Sequence, residues 1–154
     1  MEIEKKLAAL GLELPRPPVP AAHYISFVQV GNIVFVGGNI GRLNGQALTH
    51  AGKVGDKVTV DQAYEMARHC ALNHLAIIKE ALGDLDRVER IIKLIGYVNV
   101  APGFTKMPHV VNGASDLFIE LWGPRGEHAR AAVGVASLSN DAPVETEVTV
   151  QVKN

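Results

Sequence analysis

The sequence predicts an α+β fold in which a mixed sheet carries two long helices on one of its faces. Two segments have apolar residues at helical spacing, and several shorter segments alternate apolar and polar residues with a period of two. Their order is two strands, helix, strand, helix and two strands. With 154 residues and 47% hydrophobic composition, the chain suits one core rather than two. We expect residues 1–20 to form an N-terminal helix with a proline-rich connector, and residues 21–154 a single domain.

The first element is a short helix over residues 2–10. Ile3, Leu7 and Leu10 lie on one helical stripe, and Gly11 is placed to end it. Four prolines between residues 15 and 20 then predict a stiff, non-helical connector.

A hairpin follows the connector. The run from Tyr24 to Val30 and the run over residues 33–36 flank a Gly31-Asn32 pair, which is typical of a two-residue turn. The glycines at positions 37, 38, 41 and 45 are not followed by the lysine and hydroxyl of a phosphate-binding loop. We therefore interpret them as turn and bulge residues.

Two long helices form the centre of the chain. Thr59 and Gln62 match a capping box, and apolar residues then recur at helical spacing as far as Gly83. Pro108 begins the second helix and Gly123 ends it. Between them, residues 88–100 predict a strand.

The last two strands carry the charges that most need an explanation. Strict alternation over residues 144–152 places Glu145 and Glu147 on one face and four valines on the other. Arg130 lies on the preceding strand among small residues, and its planar fork suits a ligand carboxylate. The alternative is an ordinary strand arginine paired with Glu145 or Glu147. The small residues on its face are Ala132, Gly134 and Ala136.

Composition excludes several classes of function. The net charge is -1, and lysine and arginine are scattered, so nothing predicts a nucleic-acid partner. No apolar run approaches the roughly 20 residues of a membrane-spanning helix. The lone Cys70 and a polar N-terminus predict a cytoplasmic protein. His69 and His74 are five residues apart, so they do not share a helical face and give no metal-binding signature.

Several strands are apolar on both sides, as in the segment RIIKLIGYV. A single copy would leave the sheet face without helices as a large apolar surface. We therefore expect a homo-oligomer that packs these faces together and places ligand clefts near subunit boundaries.

With these residues laid out, the chain resembles the reactive intermediate deaminase family, also called the YjgF or L-PSP endoribonuclease family. The resemblance rests on Tyr24 seven residues before the turn, on the Gly37-Gly38 strand end and on Asn112. Its most specific parts are A-R-x-x-V-x-V-A-x-L over residues 129–138 and V-E-x-E over residues 144–147. The N-terminal helix, the connector and the Trp122-Gly123 loop resemble a longer subgroup.

The resemblance implies a chorismate-mutase-like fold assembled as a homotrimer, with pockets between subunits. It also implies hydrolysis of 2-imino or 2-enamino acids to 2-keto acids and ammonia, with no metal or organic cofactor. Arg130 would hold the substrate carboxylate, Glu145 would position the attacking water, and Tyr24 would line the pocket. Gly38 and the backbone of Ala132 are the other candidate substrate-binding groups.

Three positions depart from the family pattern and bear on substrate preference. Ala132 replaces a frequent cysteine, while Ser139 and His128 each replace a proline. Glu145 and Glu147 could both belong to a solvated strand face, and for Glu147 we favour that interpretation. The alternative for Tyr24 is an aromatic residue at the edge of the core. For function, the alternative is a binding protein that senses small carboxylates without converting them. RNA cleavage ranks last, since aromatic residues are only 5% of the chain.

Overall fold

The computed structural model describes residues 1–154 and shows three helices and a five-stranded sheet. The predicted α+β mixed sheet is therefore confirmed, with its elements in the expected order. The helices are α1 (Glu2–Ala9), α2 (Val60–Leu82) and α3 (Met107–Trp122), and the strands are β1 (Phe27–Val30), β2 (Ile33–Asn39), β3 (Val88–Asn99), β4 (Ala129–Val135) and β5 (Val144–Val152).

The strand order is β1-β2-β5-β3-β4, so β1 and β4 are the two edges. Only the β3–β4 pair is parallel, and the other pairs are antiparallel. The connection from β3 to β4 runs through α3, as parallel neighbours require a crossover. Edge strand β4 has main-chain groups on its outer side that no strand of this chain pairs.

The β1–β2 hairpin turns at Gly31 and Asn32 as expected, with Val30 opposite Ile33. Gly31 has a φ of 59°, which glycine adopts without strain. However, β1 begins at Phe27 rather than Tyr24, because the chain is still bending out of the connector at residues 21–24. Tyr24 therefore precedes the sheet.

The ends of the long helices follow the sequence signals. The Thr59 side chain accepts a hydrogen bond from the Gln62 backbone N–H at 3.1 Å, and the Gln62 side chain accepts one from the Thr59 N–H at 3.0 Å. Such a cap stabilises a helix by about 1 kcal/mol. Gly83 ends α2 with a φ of 79°, and Gly123 ends α3 with a φ of 58°.

Both long helices cover one face of the sheet. Helix α2 contacts β2 and β5, and α3 contacts β3 and β4. Gly96 of β3 permits close packing, because a Cβ there would lie 2.3 Å from Cγ2 of Val111 in α3. Alternate residues of β5, from Val144 to Val152, are buried beneath the helices. Helix α1 joins the same core through Ile3 and Leu7.

The opposite sheet face is open in the single chain. Val28 and Phe35 lie opposite each other on the hairpin and are about half exposed, as is Val133 on β4. No helix is long and apolar enough to cross a membrane. The open face therefore carries exposed apolar side chains that no element of this chain covers.

Candidate active site

Arg130 lies on the helix-facing side of β4, opposite the buried Leu94 of β3. Its Nη1 donates to Oδ1 of Asn112 at 2.7 Å and to Oγ of Ser115 at 3.1 Å. Its Nη2 donates to the carbonyl oxygen of Pro108 at 3.3 Å. Residues 108, 112 and 115 of α3 share one side of the helix, because they are four and three positions apart. We call these three residues and Arg130 the arginine cradle.

Every protein acceptor of the Arg130 guanidinium is neutral. The alternative in which Arg130 pairs with Glu145 or Glu147 is therefore wrong, and the reason is that both carboxylates point to the opposite sheet face. Three of the five N–H donors of an arginine are engaged, which leaves two for a ligand. Burial lowers the pKa of Arg130, the nearby Asp116 charge opposes that shift, and the guanidinium stays charged.

His128 is connected to the arginine cradle through Ser115. Because the Ser115 hydroxyl accepts from Arg130, its own proton is free to be donated to Nε2 of His128 at 2.9 Å. The Nδ1–H of His128 then donates to the Gly126 carbonyl at 2.6 Å. This assignment gives a neutral histidine, and burial and the Arg130 charge both lower the pKa of His128. His128 therefore orients Ser115, instead of adding a charge to the ligand pocket.

Glu145 lies on the open face of the sheet, opposite Tyr97 of β3. Its pKa is raised above the ordinary value by burial and by the adjacent charge of Glu147. No hydrogen bond contributes to that shift, so the carboxylate oxygens are available to a water molecule. A carboxylate with a raised pKa is a better proton acceptor near neutral pH.

Gly38 lies beside Glu145 at the end of β2. A Cβ on Gly38 would come within 3.1 Å of both Cδ and Oε2 of Glu145, which is tighter than ordinary contact. The β2–β5 register also shifts between Val36 and Asn39, so Gly38 lies at an irregular point of this strand pair. The role of Gly38 is thus to leave room for the carboxylate.

Glu145, Gly38 and Tyr24 line one cavity of about 500 Å³. Tyr24 is 54% exposed and faces this cavity, so it is not a core-edge aromatic. We call this region the glutamate cavity. It is formed by the connector, the end of β2, the loop that follows β2 and the turn before β5. Its lining residues are Arg16, Pro17, Pro18, Val19, Ala21, Tyr24, Gly38, Asn39, Ile40, Arg42, Asn44, Gly45, Ser139, Asn140 and Glu145.

The structure does not bring Arg130 or Ala132 into the glutamate cavity. Arg130 is level with Leu94 of β3, whereas Glu145 is level with Tyr97, three residues further along the same strand. Arg130 and Glu145 are therefore separated by about 10 Å along the strand direction. They are also separated by about 10 Å, or two strand spacings, across the sheet. Ala132 lies opposite Gly96 and packs against the helix-facing core. Within one chain, the predicted site residues form two separate groups.

Sequence reasoning missed Ser115 and the cavity arginines, Arg16 and Arg42. Ser115 could have been found as a polar residue within the apolar stripe of α3, where it is only 6% exposed. Asn112 entered only through the family resemblance. The cavity arginines had no signal, because the loop contacts that bring residue 16 to residue 44 are not visible in the sequence.

The remaining candidate side chains have structural roles. His74 is fully buried, its Nε2 lies 2.8 Å from Oγ1 of Thr146, and burial lowers its pKa to about 4. Burial raises the pKa of the Cys70 thiol to about 12, so it is not a nucleophile near neutral pH. No three His, Cys, Asp or Glu side chains are grouped to hold a metal ion.

Comparison with known proteins agrees with this fold. The family profile described as "YjgF/chorismate mutase-like, putative endoribonuclease" matches residues 4–141. The chain belongs to this family. The resemblance stated from the terminal motifs is therefore confirmed, and with it the chorismate-mutase-like fold.

Three known proteins are similar to this chain over nearly its whole length. Protein TCP17 of Trypanosoma cruzi is 41% identical, with 99% of this chain and 95% of that protein covered. The structure of Atu1372 from Agrobacterium tumefaciens, a protein of unknown function, is 42% identical with a TM-score of 0.90, covering 99% and 94%. A putative endoribonuclease from Shewanella oneidensis is 30% identical with a TM-score of 0.94, covering 99% and 100%.

Proposed function

We propose that the protein is a hydrolytic deaminase of 2-imino and 2-enamino acids, which it converts to 2-keto acids and ammonia. The observation that carries this proposal is the arginine cradle. Neutral acceptors orient the Arg130 guanidinium and leave it two N–H donors and its full charge. A guanidinium held in this way is suited to a substrate carboxylate, which takes two parallel hydrogen bonds.

The reaction also requires a positioned water molecule, and we assign that role to Glu145 in the glutamate cavity. Glu145 takes a proton from the water as its oxygen bonds to the imine carbon, and the proton is returned to the imine nitrogen. The hydroxyl proton of the resulting carbinolamine then moves to its amino nitrogen, the C–N bond breaks to release ammonia, and the C–O bond becomes a carbonyl. Imino acid and water thus give keto acid and ammonia, with no oxidation or reduction. Anchoring and positioning of this kind supply much of an enzyme's rate enhancement.

The proposal requires two copies of the chain at each site. Arg130 and Glu145 are too far apart, and on opposite sheet faces, to act on one small substrate from the same copy. The uncovered apolar face favours association, and the family resemblance implies a homotrimer with pockets between subunits. We therefore propose that the cradle of one subunit completes the glutamate cavity of its neighbour.

The deaminase activity is tested by generating 2-iminopropanoate from alanine with an amino acid oxidase and following release of pyruvate above the spontaneous rate. We expect the protein to speed release, and Arg130→Ala to abolish the effect. Arg90→Ala is the matched control, because Arg90 lies on β3 and donates to the Glu127 carbonyl, outside the cradle and cavity. Equal rates with and without protein, or with Arg130→Ala and wild type, would contradict the proposal.

The same preparation separates the two alternatives. Binding of 2-keto acids by calorimetry without turnover of several imines would support a carboxylate sensor. RNA is the weaker candidate despite the family description, because the net charge is -1 and basic residues are scattered. RNA cleavage is tested by incubating the protein with a single-stranded RNA and measuring the cleavage products. The buried, unpaired Cys70 is compatible with a reducing compartment, and we propose that the reaction takes place in the cytoplasm.

A further inference from the structure

Arg16 brings the connector against the loop that follows β2. Its backbone N–H donates to Oδ1 of Asn44 at 2.8 Å, and its Nη2 donates to the Asn44 carbonyl at 3.0 Å. Asn44 has a φ of 55°, a conformation that asparagine tolerates better than most residues. These bonds hold the Arg16 guanidinium at the glutamate cavity, with its Nε and Nη1 hydrogens free.

Arg42 is held at the same cavity from within the loop. Its Nε donates to the Gln46 carbonyl at 3.1 Å and its Nη2 to the Gly45 carbonyl at 2.9 Å. As with Arg16, the acceptors are neutral backbone oxygens, so neither exposed guanidinium is paired with a carboxylate of the chain. The Nη1 hydrogens of Arg42 remain available to a ligand.

The charges that line the cavity do not balance. Arg16 and Arg42 are its only basic side chains, and Glu145 is its only acidic one. Under the proposed function, the 2-carboxylate of the substrate binds Arg130 of a neighbouring subunit. The two cavity arginines are then not needed for that group, and a volume of about 500 Å³ leaves room for a substrate side chain.

We infer that the protein prefers 2-imino acids whose side chain bears a second acid group, a carboxylate or a phosphate, which binds Arg16 and Arg42. This inference rests on the proposed function and names its substrate class. The connector is then a specificity element, because it contributes one of the two arginines. A guanidinium donates hydrogen bonds to carboxylate and phosphate oxygens alike, so the two acid groups are tested separately.

The test is calorimetric binding of the 2-keto acid products to the assembled protein. The five-carbon pair 2-oxoglutarate and 2-oxopentanoate differs in the terminal acid group, and 3-phosphooxypyruvate provides the phosphate arm. We expect at least one acidic ligand to bind about tenfold more tightly than 2-oxopentanoate. Arg16→Gln and Arg42→Gln should each reduce that ratio toward one without changing the affinity for 2-oxopentanoate. Arg125→Gln is the control, since Arg125 donates to β3 carbonyls outside the cavity.

Equal affinity of the wild type for acidic and neutral ligands would overturn the inference. So would an equal loss for both ligands in Arg16→Gln and Arg42→Gln, because these arginines would then bind the 2-carboxylate. Binding does not depend on turnover, so the outcomes stay separate from those of the deaminase assay. If the protein turns over 2-iminopropanoate but does not bind acidic ligands more tightly, the proposed function stands and this inference fails. If it binds acidic ligands more tightly but turns over no imine, only the acid-binding subsite stands.

Discussion

The arginine cradle and the glutamate cavity are built in opposite ways. The cradle lies between a strand and a helix that pack against each other, and all of its acceptors come from α3. The cavity is formed mainly by the connector and by loops on the open side of the sheet. The cradle therefore fixes one charged group rigidly, whereas the cavity offers volume and a desolvated carboxylate. Under the proposed function, this contrast assigns anchoring and substrate selection to different parts of the chain.

The largest expected effect comes from variants that inactivate either the arginine cradle or the glutamate cavity. Arg130→Ala and Glu145→Gln should each lower kcat/KM more than about 100-fold, through lost anchoring and a lost proton acceptor. Co-expression of both variants with different tags should restore about a quarter of wild-type activity in random mixtures. At each shared site, Arg130 and Glu145 come from different copies. Each of these residues is intact in half of the copies, so about a quarter of the sites are complete.

The measured quantity is the activity per mole of oligomers purified from one culture. Oligomers that carry one tag are compared with oligomers that carry both tags. No recovery in oligomers that carry both tags would show that the cradle and the cavity act within one copy. The shared-site assignment would then be abandoned.

The second effect concerns the fit of Glu145 in the cavity. Gly38→Ala should lower kcat about tenfold, because its Cβ displaces a carboxylate whose position determines proton transfer. Gly37→Ala is a close control, since its Cβ would lie 3.6 Å from the Ser26 carbonyl, an ordinary contact. Steady-state kinetics and thermal melts on both variants provide the measurement. Similar kcat values for the two variants would remove Gly38 from the site.

A smaller effect is expected on the cradle side. Ser115→Ala removes one of the three acceptors of Arg130 and should raise KM about fivefold at nearly constant kcat, as loss of about 1 kcal/mol of hydrogen bonding predicts. His109→Ala, on the exposed side of α3, should change neither value. A fall in kcat with unchanged KM for Ser115→Ala would indicate that the cradle does more than anchor the substrate.

The smallest effect is a shift in the pH profile. Glu147 raises the pKa of Glu145, so Glu147→Gln should lower that pKa and keep the base ionised at lower pH. The acidic limb of kcat/KM should therefore move to lower pH, by less than about one unit. Glu89→Gln, near the start of β3 and away from the cavity, is the control for general charge effects. An unmoved or upward-shifted limb would mean that Glu145 is not the titrating group.

Local signals in the sequence were sufficient to locate most of the elements and to predict the fold class. The capping box at Thr59 and the glycines that end α2 and α3 act through contacts within a few residues, so pattern reasoning located them. The alternation of β5 likewise determined which side chains face the helices. The start of β1 was predicted three residues early, because the bend at residues 21–24 depends on how the connector packs.

The sequence by itself determined the elements, the candidate residues and the alternation of faces within each strand, since these depend on local geometry and on the period of a strand. Strand pairing then decided that Arg130 and the two carboxylates lie on opposite faces of the sheet. Only the tertiary structure decided that Arg130 is held by Asn112 and Ser115, and that the connector lines the cavity of Glu145. Those contacts join residues 15 to more than 100 positions apart. Their register depends on how the helices and loops pack on the sheet, which no short sequence pattern records.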